Sequence, residues 1–205
     1  QVLGKFPRLS STSILTGQEI AHTFSNVQVS FRDNSSVTMG LDIGGGGDDT
    51  CFVIRKGQKI IDIVKKLTPT KHKIIEEIRK LYAKHHFTIL CFDKTGIGFF
   101  LREDIENVLP NSVDVRAINF GDKSPSPDCF NMRAWIYSRL RDWVRAGGVI
   151  GSEYSHIKQQ LQATECFDDD KGRLKLIGKD KIIKEIGHSP DEPDAIALSC
   201  AYSGD

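Results

Sequence analysis

The sequence predicts an α/β protein: a mixed five-stranded sheet flanked by helices, with an extra β-hairpin before the last helix. Three observations predict it. Residues 37–43, 51–56 and 59–64 are short apolar or β-branched runs joined by glycine-containing turns, the pattern of an antiparallel meander. Residues 88–92 form a continuous apolar run ending at Asp93, which suits a strand buried on both faces beside a parallel neighbour. The remaining apolar residues recur mostly at helical spacing.

The elements follow in order. Residues 1–36 read as an irregular connecting segment, Ser/Thr-rich at 10–13, with a short helix near 18–24. The chain opens on Gln rather than Met, which reads as a piece of something longer. Residues 37–205 read as one domain. After the meander, Thr68-Pro69 supplies an N-cap and a first-turn proline, and Ile74, Ile75, Ile78, Leu81 and Tyr82 mark a helix face. The strand at 88–92 is followed by a helix over about 99–109 and a strand over 113–118. Met132, Trp135, Ile136, Leu140, Trp143 and Val144 form the apolar stripe of a long helix closed by Gly147-Gly148. Residues 162–167 and 173–177 flank a turn at 168–172, a protruding hairpin. A helix from about 191 to 202 ends the series. Three meandering strands followed by strand–helix units give a ribonuclease H-like arrangement.

Composition removes several classes. The chain has 205 residues, with 28 Lys plus Arg against 27 Asp plus Glu and a net charge of +1. That is enough chain to bury a real core, with a composition unlike that of a disordered protein. The near-neutral balance conceals segregation. Residues 55–85 are rich in Lys and Arg, while acids cluster at Asp42/Asp48/Asp49, 168–170 and 191–194. No apolar run approaches the roughly 18–20 residues of a membrane span. Cys51, Cys91, Cys129, Cys166 and Cys200 are widely spaced and show neither CxxC nor zinc spacing, so they read as reduced, buried thiols of a cytosolic protein. There is no GxxxxGK[ST] phosphate loop.

Chemistry points to acidic residues. Asp42 lies near the end of the first meander strand, Asp93 ends the buried strand, and Asp191 and Asp194 open the last helix. Their spacing of three places Asp191 and Asp194 on one helical face, with Glu192 elsewhere. A lone aspartate at a strand end is more often a turn or cap residue, and one at a helix N-terminus is ordinary. Their joint placement in this element order is what suggests a site. Converging carboxylates suit hard divalent cations, Mg²⁺ or Mn²⁺, and two ions can activate water and stabilise the leaving oxygen of a phosphodiester. Gly44–Gly47 is loosely like a phosphate loop of the actin and sugar-kinase superfamily, but a permissive strand-to-strand turn explains it more simply. Arg133, Tyr137, Arg141 and Arg145 fall at i+4 intervals, which reads first as a solvated helix face and second as a phosphate track. Asp168–Asp170 reads as a hairpin turn, and His188 is notable only for preceding the third acidic motif.

The sequence resembles the nuclease domain of the large terminase subunit of tailed bacteriophages and their prophages. The motifs are Gly40-Leu41-Asp42 with Gly47-Asp48-Asp49-Thr50, then Phe92-Asp93 with Thr95-Gly96-Ile97-Gly98, then Asn119-Phe120-Gly121 and Asn131-Met132-Arg133-Ala134-Trp135. Lys171-Gly172-Arg173-Leu174, Lys179-Asp180 and Ser189-Pro190-Asp191 with Asp194-Ala195-Ile196-Ala197-Leu198 complete the series. The resemblance implies a metal-dependent DNA endonuclease that cuts concatemeric DNA when packaging starts and ends. It implies Asp42, Asp93 and Asp194 as catalytic metal ligands, with Asp191 auxiliary. The basic residues expected to face DNA are Lys94, Arg133, Arg141, Arg145, Lys171, Arg173 and Lys179. Residues 1–36 would follow an ATPase domain that this chain lacks. The implied partners are double-stranded DNA, the small terminase subunit and the portal, in the host bacterial cytoplasm. A Holliday-junction resolvase or transposase-like nuclease, or a DNA-holding module with a degenerate site, are the alternatives.

Overall fold

A computed structural model describes residues 12–31, 35–44, 49–68 and 70–202. β1 (Thr12–Ser13) leads into α1 (Gly17–Thr23), which is closed by a capping box. Thr16 Oγ1 accepts from Glu19 N–H, and the Glu19 carboxylate accepts from Thr16 N–H. The meander is β2 (Val37–Asp42), β3 (Asp49–Lys56) and β4 (Lys59–Leu67). Next come α2 (Lys71–His85), β5 (Ile89–Asp93), α3 (Arg102–Val108), β6 (Asp114–Ile118) and α4 (Met132–Arg145). α5 (Lys158–Ala163), β7 (Glu165–Asp168), β8 (Leu174–Leu176), α6 (Lys179–Ile186) and α7 (Asp191–Cys200) follow.

The central sheet has five strands in the order β4-β3-β2-β5-β6. β2, β3 and β4 pair antiparallel, whereas β5 pairs parallel to both β2 and β6, so the sheet is mixed as expected. A smaller sheet, β1-β7-β8, pairs the segment before α1 with the later hairpin.

The alternation of strand side chains divides the core into two layers. Met39 and Leu41 of β2, Phe52 and Ile54 of β3, and Leu90 and Phe92 of β5 join Ile74, Ile78 and Leu81 of α2 and Ile105 of α3. Their strand neighbours Cys51, Val53, Ile89 and Cys91 join Ile136, Tyr137 and Leu140 of α4 and Ala195–Leu198 of α7 on the other face. Between sheet and α4, α7 is buried from Glu192 to Cys200. A helix covered on all sides needs no polar stripe, which explains why its sequence shows little amphipathicity. Gly40 is what lets it approach: a Cβ there would lie 2.0 Å from Ala195 O and 2.5 Å from Ser199 N.

Several expectations need correction. The helix after the meander starts at Lys71 with Thr70 as N-cap, its side chain accepting from Lys73 N–H. Thr68 is instead buried and hydrogen-bonded to Thr50, while Pro69 falls outside the described residues. A 3₁₀ turn, Gly96–Phe100, precedes α3, so that helix begins at Arg102. Residues 162 and 163 end α5 rather than opening a strand, because Ile157 and Leu161 are buried one helical turn apart. The sequence reading missed α6 altogether. Its buried Ile182, half-buried Ile186 and left-handed Gly187 at the C-cap were the available signals. Residues 45–48 of the glycine run lie outside the described residues. Beside them, Gly44 N–H donates to Thr50 Oγ1 at 3.1 Å.

All five cysteines are buried and free, and burial pushes the Cys91 thiol up to about 12. Among the described residues no helix is long and apolar enough to cross a membrane.

Candidate active site

Strand periodicity places the first two acids. In β2 the residues alternating with Met39 and Leu41 are Thr38, Gly40 and Asp42, and Thr38 Oγ1 donates to Ser199 O of α7 at 2.8 Å. Asp42 therefore shares the α7 face of the sheet. In β5, Ile89 and Cys91 pack on that face, and Asp93 continues their alternation. Leu41 pairs with Phe92 in the parallel β2–β5 register, so Asp42 and Asp93 stand side by side at the strand ends. Asp194 arrives from the first turn of α7 and is fully buried.

Each carboxylate has its own support. Asp93 accepts from Thr95 N–H at 3.0 Å and Thr95 Oγ1 at 2.8 Å. Asp194 Oδ1 accepts from the Tyr137 hydroxyl at 2.6 Å and lies 3.5 Å from Arg133 Nη2. Arg133 also donates from Nη1 to Ile177 O at 3.0 Å. Lys179 Nζ sits 2.6 Å from Asp194 Oδ2 and 3.9 Å from Asp42 Oδ2. The shorter of these is a buried ion pair, so Lys179 is the partner of Asp194 Oδ2. Asp191 is half-buried, 3.6 Å from Lys65 Nζ, which also holds the buried Glu192 at 3.1 Å.

The acids feel one another. Burial pushes the Asp42 carboxyl well above the usual range, Lys179 opposes this, and Asp194, Asp191 and Asp93 push it further up. Asp93 is raised chiefly by burial, against the pull of its Thr95 hydrogen bonds. Asp194 goes the other way. Its burial alone would raise it, but Arg133, Lys179 and the Tyr137 hydroxyl together hold it below the ordinary value. Burial keeps Tyr137 protonated far up the scale, so it acts as a neutral donor. Lys179 is raised above the usual lysine value despite burial, because Asp194 and Asp42 favour its charge. Among the described residues, no three acidic, His or Cys side chains stand close enough to enclose a metal ion. Within the acidic cluster, the positive charge belongs to Lys179 and Arg133.

The basic residues named from sequence separate into distinct settings. Lys179 belongs to the acidic cluster itself. Arg133 is 8% exposed and turned onto Asp194, and Tyr137 is buried, so the reading of this helix face as solvated does not hold for its first half. The 133–136–137–140–144 spacing was the signal that both belong to the buried stripe. Arg145 is exposed and pairs with Glu19 at 2.7 Å. Arg141 is half-buried and lines a cavity of about 300 Å³ with Ser126, Ser138 and Arg139. Lys94 Nζ lies 3.5 Å from Asp122. On the hairpin, Lys171 is exposed, while Asp169 clamps Arg173 through Nη2 at 2.6 Å, and Arg173 stacks on Phe130 at 5.0 Å. His188 is exposed, its Nδ1 3.0 Å from Ser189 O. The roles of Tyr137 and Thr95 were not read from sequence.

A stability prediction follows for the metal-free protein. Because the folded state holds the Asp42 proton more tightly than the unfolded chain, stability falls as pH rises from the ordinary carboxylate range through its raised value. Asp42→Asn removes that penalty. In EDTA at neutral pH it should unfold at a higher temperature than the parent, by roughly 1–3 kcal/mol in stability. A pH series of thermal melts measures this, and the variant's profile should be flatter above pH 4.

No protein-family model matches the chain, and no curated protein matches it. Solved structures do. The fold is the ribonuclease H-like α/β fold of phage large-terminase nuclease domains. A mutant gp2c of the large terminase subunit of bacteriophage Sf6, with calcium, superposes with a TM-score of 0.77 at 16% identity, covering 93% of this chain and 99% of that one. The nuclease domain of the large terminase subunit gp2 of bacterial virus Sf6 gives 0.75 at 14% identity, covering 95% and 100%. The large terminase nuclease of thermophilic phage G20c with bound magnesium gives 0.65 at 14% identity, covering 93% and 97%. What is shared at these identities is the fold.

Proposed function

We propose that this chain is a divalent-metal-dependent DNA endonuclease domain of a viral DNA-packaging terminase. The observation that carries the reading is that Asp42, Asp93 and Asp194 lie toward one sheet face, near enough to raise the Asp42 carboxyl and with Lys179 between Asp42 and Asp194, in a fold shared with terminase nucleases. The donor set fits Mg²⁺ or Mn²⁺ in kind: the groups are carboxylate oxygens, and Lys179 already supplies a positive charge between Asp42 and Asp194. Similar domains have been solved with manganese, calcium, magnesium and cobalt.

Asp42, Asp93 and Asp194 would hold the metal, with Asp191 auxiliary. Two bound ions would supply an activated water and stabilise the leaving oxygen of a phosphodiester. The protein's part is placement. Thr95 fixes both oxygens of Asp93, while Tyr137 and Arg133 fix Oδ1 of Asp194 and Lys179 pairs with Oδ2. Lys179 offsets the charge of Asp42 and Asp194, a task a bound divalent cation would share. Lys94, Arg141, Arg145, Lys171 and Arg173 are the remaining cations proposed to meet duplex DNA.

In the longer protein, residues 1–36 would connect to an ATPase domain, and the complex would include the small subunit and portal in the host cytoplasm. Ile14, Leu15, Ile20 and Phe24 pack into the main core, so that connection would end firmly docked on the nuclease. Concatemer cutting at the start and end of packaging is the proposed role.

Supercoiled plasmid incubated with the chain and Mg²⁺ or Mn²⁺ should be nicked and linearised, with no cutting in EDTA. Cutting that persists in EDTA would exclude the mechanism. Strong preference for four-way junctions over linear duplex would favour a resolvase.

A further inference from the structure

The 3₁₀ turn Gly96–Phe100 carries two phenylalanines that face water. Phe99 is 69% exposed and Phe100 70% exposed, the highest values among the large apolar side chains described. Their rings meet edge to face, with centroids 5.1 Å apart and planes at 80°. Exposing two large rings is unfavourable unless something covers them in use.

The turn is tied to the acidic cluster. Thr95, just before it, binds both oxygens of Asp93. Gly98, in its middle, lies so close to the site that a Cβ would fall 2.2 Å from Asp93 O and 3.3 Å from Ile43 Cδ1. Leu101, just after it, is fully buried. The rings are thus held at fixed height, one and two residues beyond the point that touches the backbone of Asp93. Lys94 and Arg102 flank the turn with half-exposed or exposed cationic side chains.

We propose that Phe99 and Phe100 are an aromatic contact for DNA at the rim of the acidic cluster, stacking on bases of the strand being cut. The inference rests on the nuclease reading and adds a base-stacking contact to it. The turn's position favours this occupant, because its middle residue packs directly against the backbone of Asp93. Size agrees as well. Among the described residues the other exposed large apolar side chains, Val27, Phe31, Leu67, Phe130 and Ile183, belong to other segments, and two rings offer a surface of about one base step. Aromatic rings between cations form the usual platform for unstacked bases.

The test uses the full chain and the double variant Phe99→Ala/Phe100→Ala, both with Ca²⁺ replacing Mg²⁺. Oligonucleotides carrying 2-aminopurine, single-stranded and duplex, report stacking through fluorescence. The parent should change the probe's fluorescence on binding. The double variant should lose that change and bind single strands about tenfold more weakly, with its melting temperature and metal-induced shift intact. Phe100→Trp should preserve binding. Equal affinity and fluorescence in parent and double variant would overturn the proposal while leaving cutting in place. A parent that neither binds nor cuts DNA would instead remove the nuclease reading, and this contact with it. A variant that changes only self-association would assign the rings to a protein contact, which also overturns the proposal.

Discussion

Asp42→Ala should reduce metal-dependent plasmid cleavage about a thousandfold or more while leaving the fold intact. Asp42 lies beside Asp93 in the β2–β5 register and shares Lys179 with Asp194. Groups that act as a unit lose most of their effect when any one is removed, so the single substitution is expected to approach the full loss. The comparison with Asp194→Ala makes the prediction sharper. Removing Asp194 leaves Arg133 and the Tyr137 hydroxyl buried without their partner, which should cost about 3–5 kcal/mol in addition to activity. Two readouts are needed: cleavage rate, and thermal stability in EDTA. Loss of activity in both variants but loss of stability only in Asp194→Ala is the expected result. Residual cleavage within tenfold of the parent in Asp42→Ala would mean that the chemistry lies elsewhere.

Gly40→Ala, which adds one methyl group, should be nearly as damaging. Its Cβ would sit 2.0 Å from Ala195 O and 2.5 Å from Ser199 N, both backbone atoms of α7. Neither can swing aside, so the helix itself must retreat. Thr38 Oγ1 and Arg55 Nε both donate to Ser199 O at 2.8 Å and would be stretched or broken. Overpacking of this kind costs about 1–3 kcal/mol and sometimes more. Retreat of α7 also carries Asp194 away from Asp42, and a displacement near 1 Å costs about a hundredfold in rate. Melting and cleavage should therefore fall together. Gly17→Ala, where nothing lies within 4 Å of the added atom, is the matched control and should change neither.

The legible part of the fold was the part set by period. Helical period marked α2 and α4, the short apolar runs at 37–43, 51–56, 59–64 and 88–92 marked the strands, and the placement of Asp42 and Asp93 at strand ends suggested a shared site. What escaped was decided by packing rather than period. Arg133 and Tyr137 are polar by type, so they read as solvent-facing until α7 is seen to bring Asp194 against them. Lys179 was expected to face DNA, whereas its carboxylate partners arrive from other elements, Asp42 on β2 and Asp194 on α7. α6 was overlooked because it is short and buries only Ile182 deeply.

The burial of α7 between the sheet and α4 has a consequence for how the chain comes to be. Every carboxylate of the cluster except those of α7 is in place once β5 has paired with β2, yet Asp191 and Asp194 belong to the last described helix. Contacts this distant in sequence form late and slowly, because the intervening chain must first lose its freedom. A partly synthesised or partly folded chain therefore presents Asp42 and Asp93 without their third member. On the proposed reading, assembly of the acidic cluster would coincide with closure of the core.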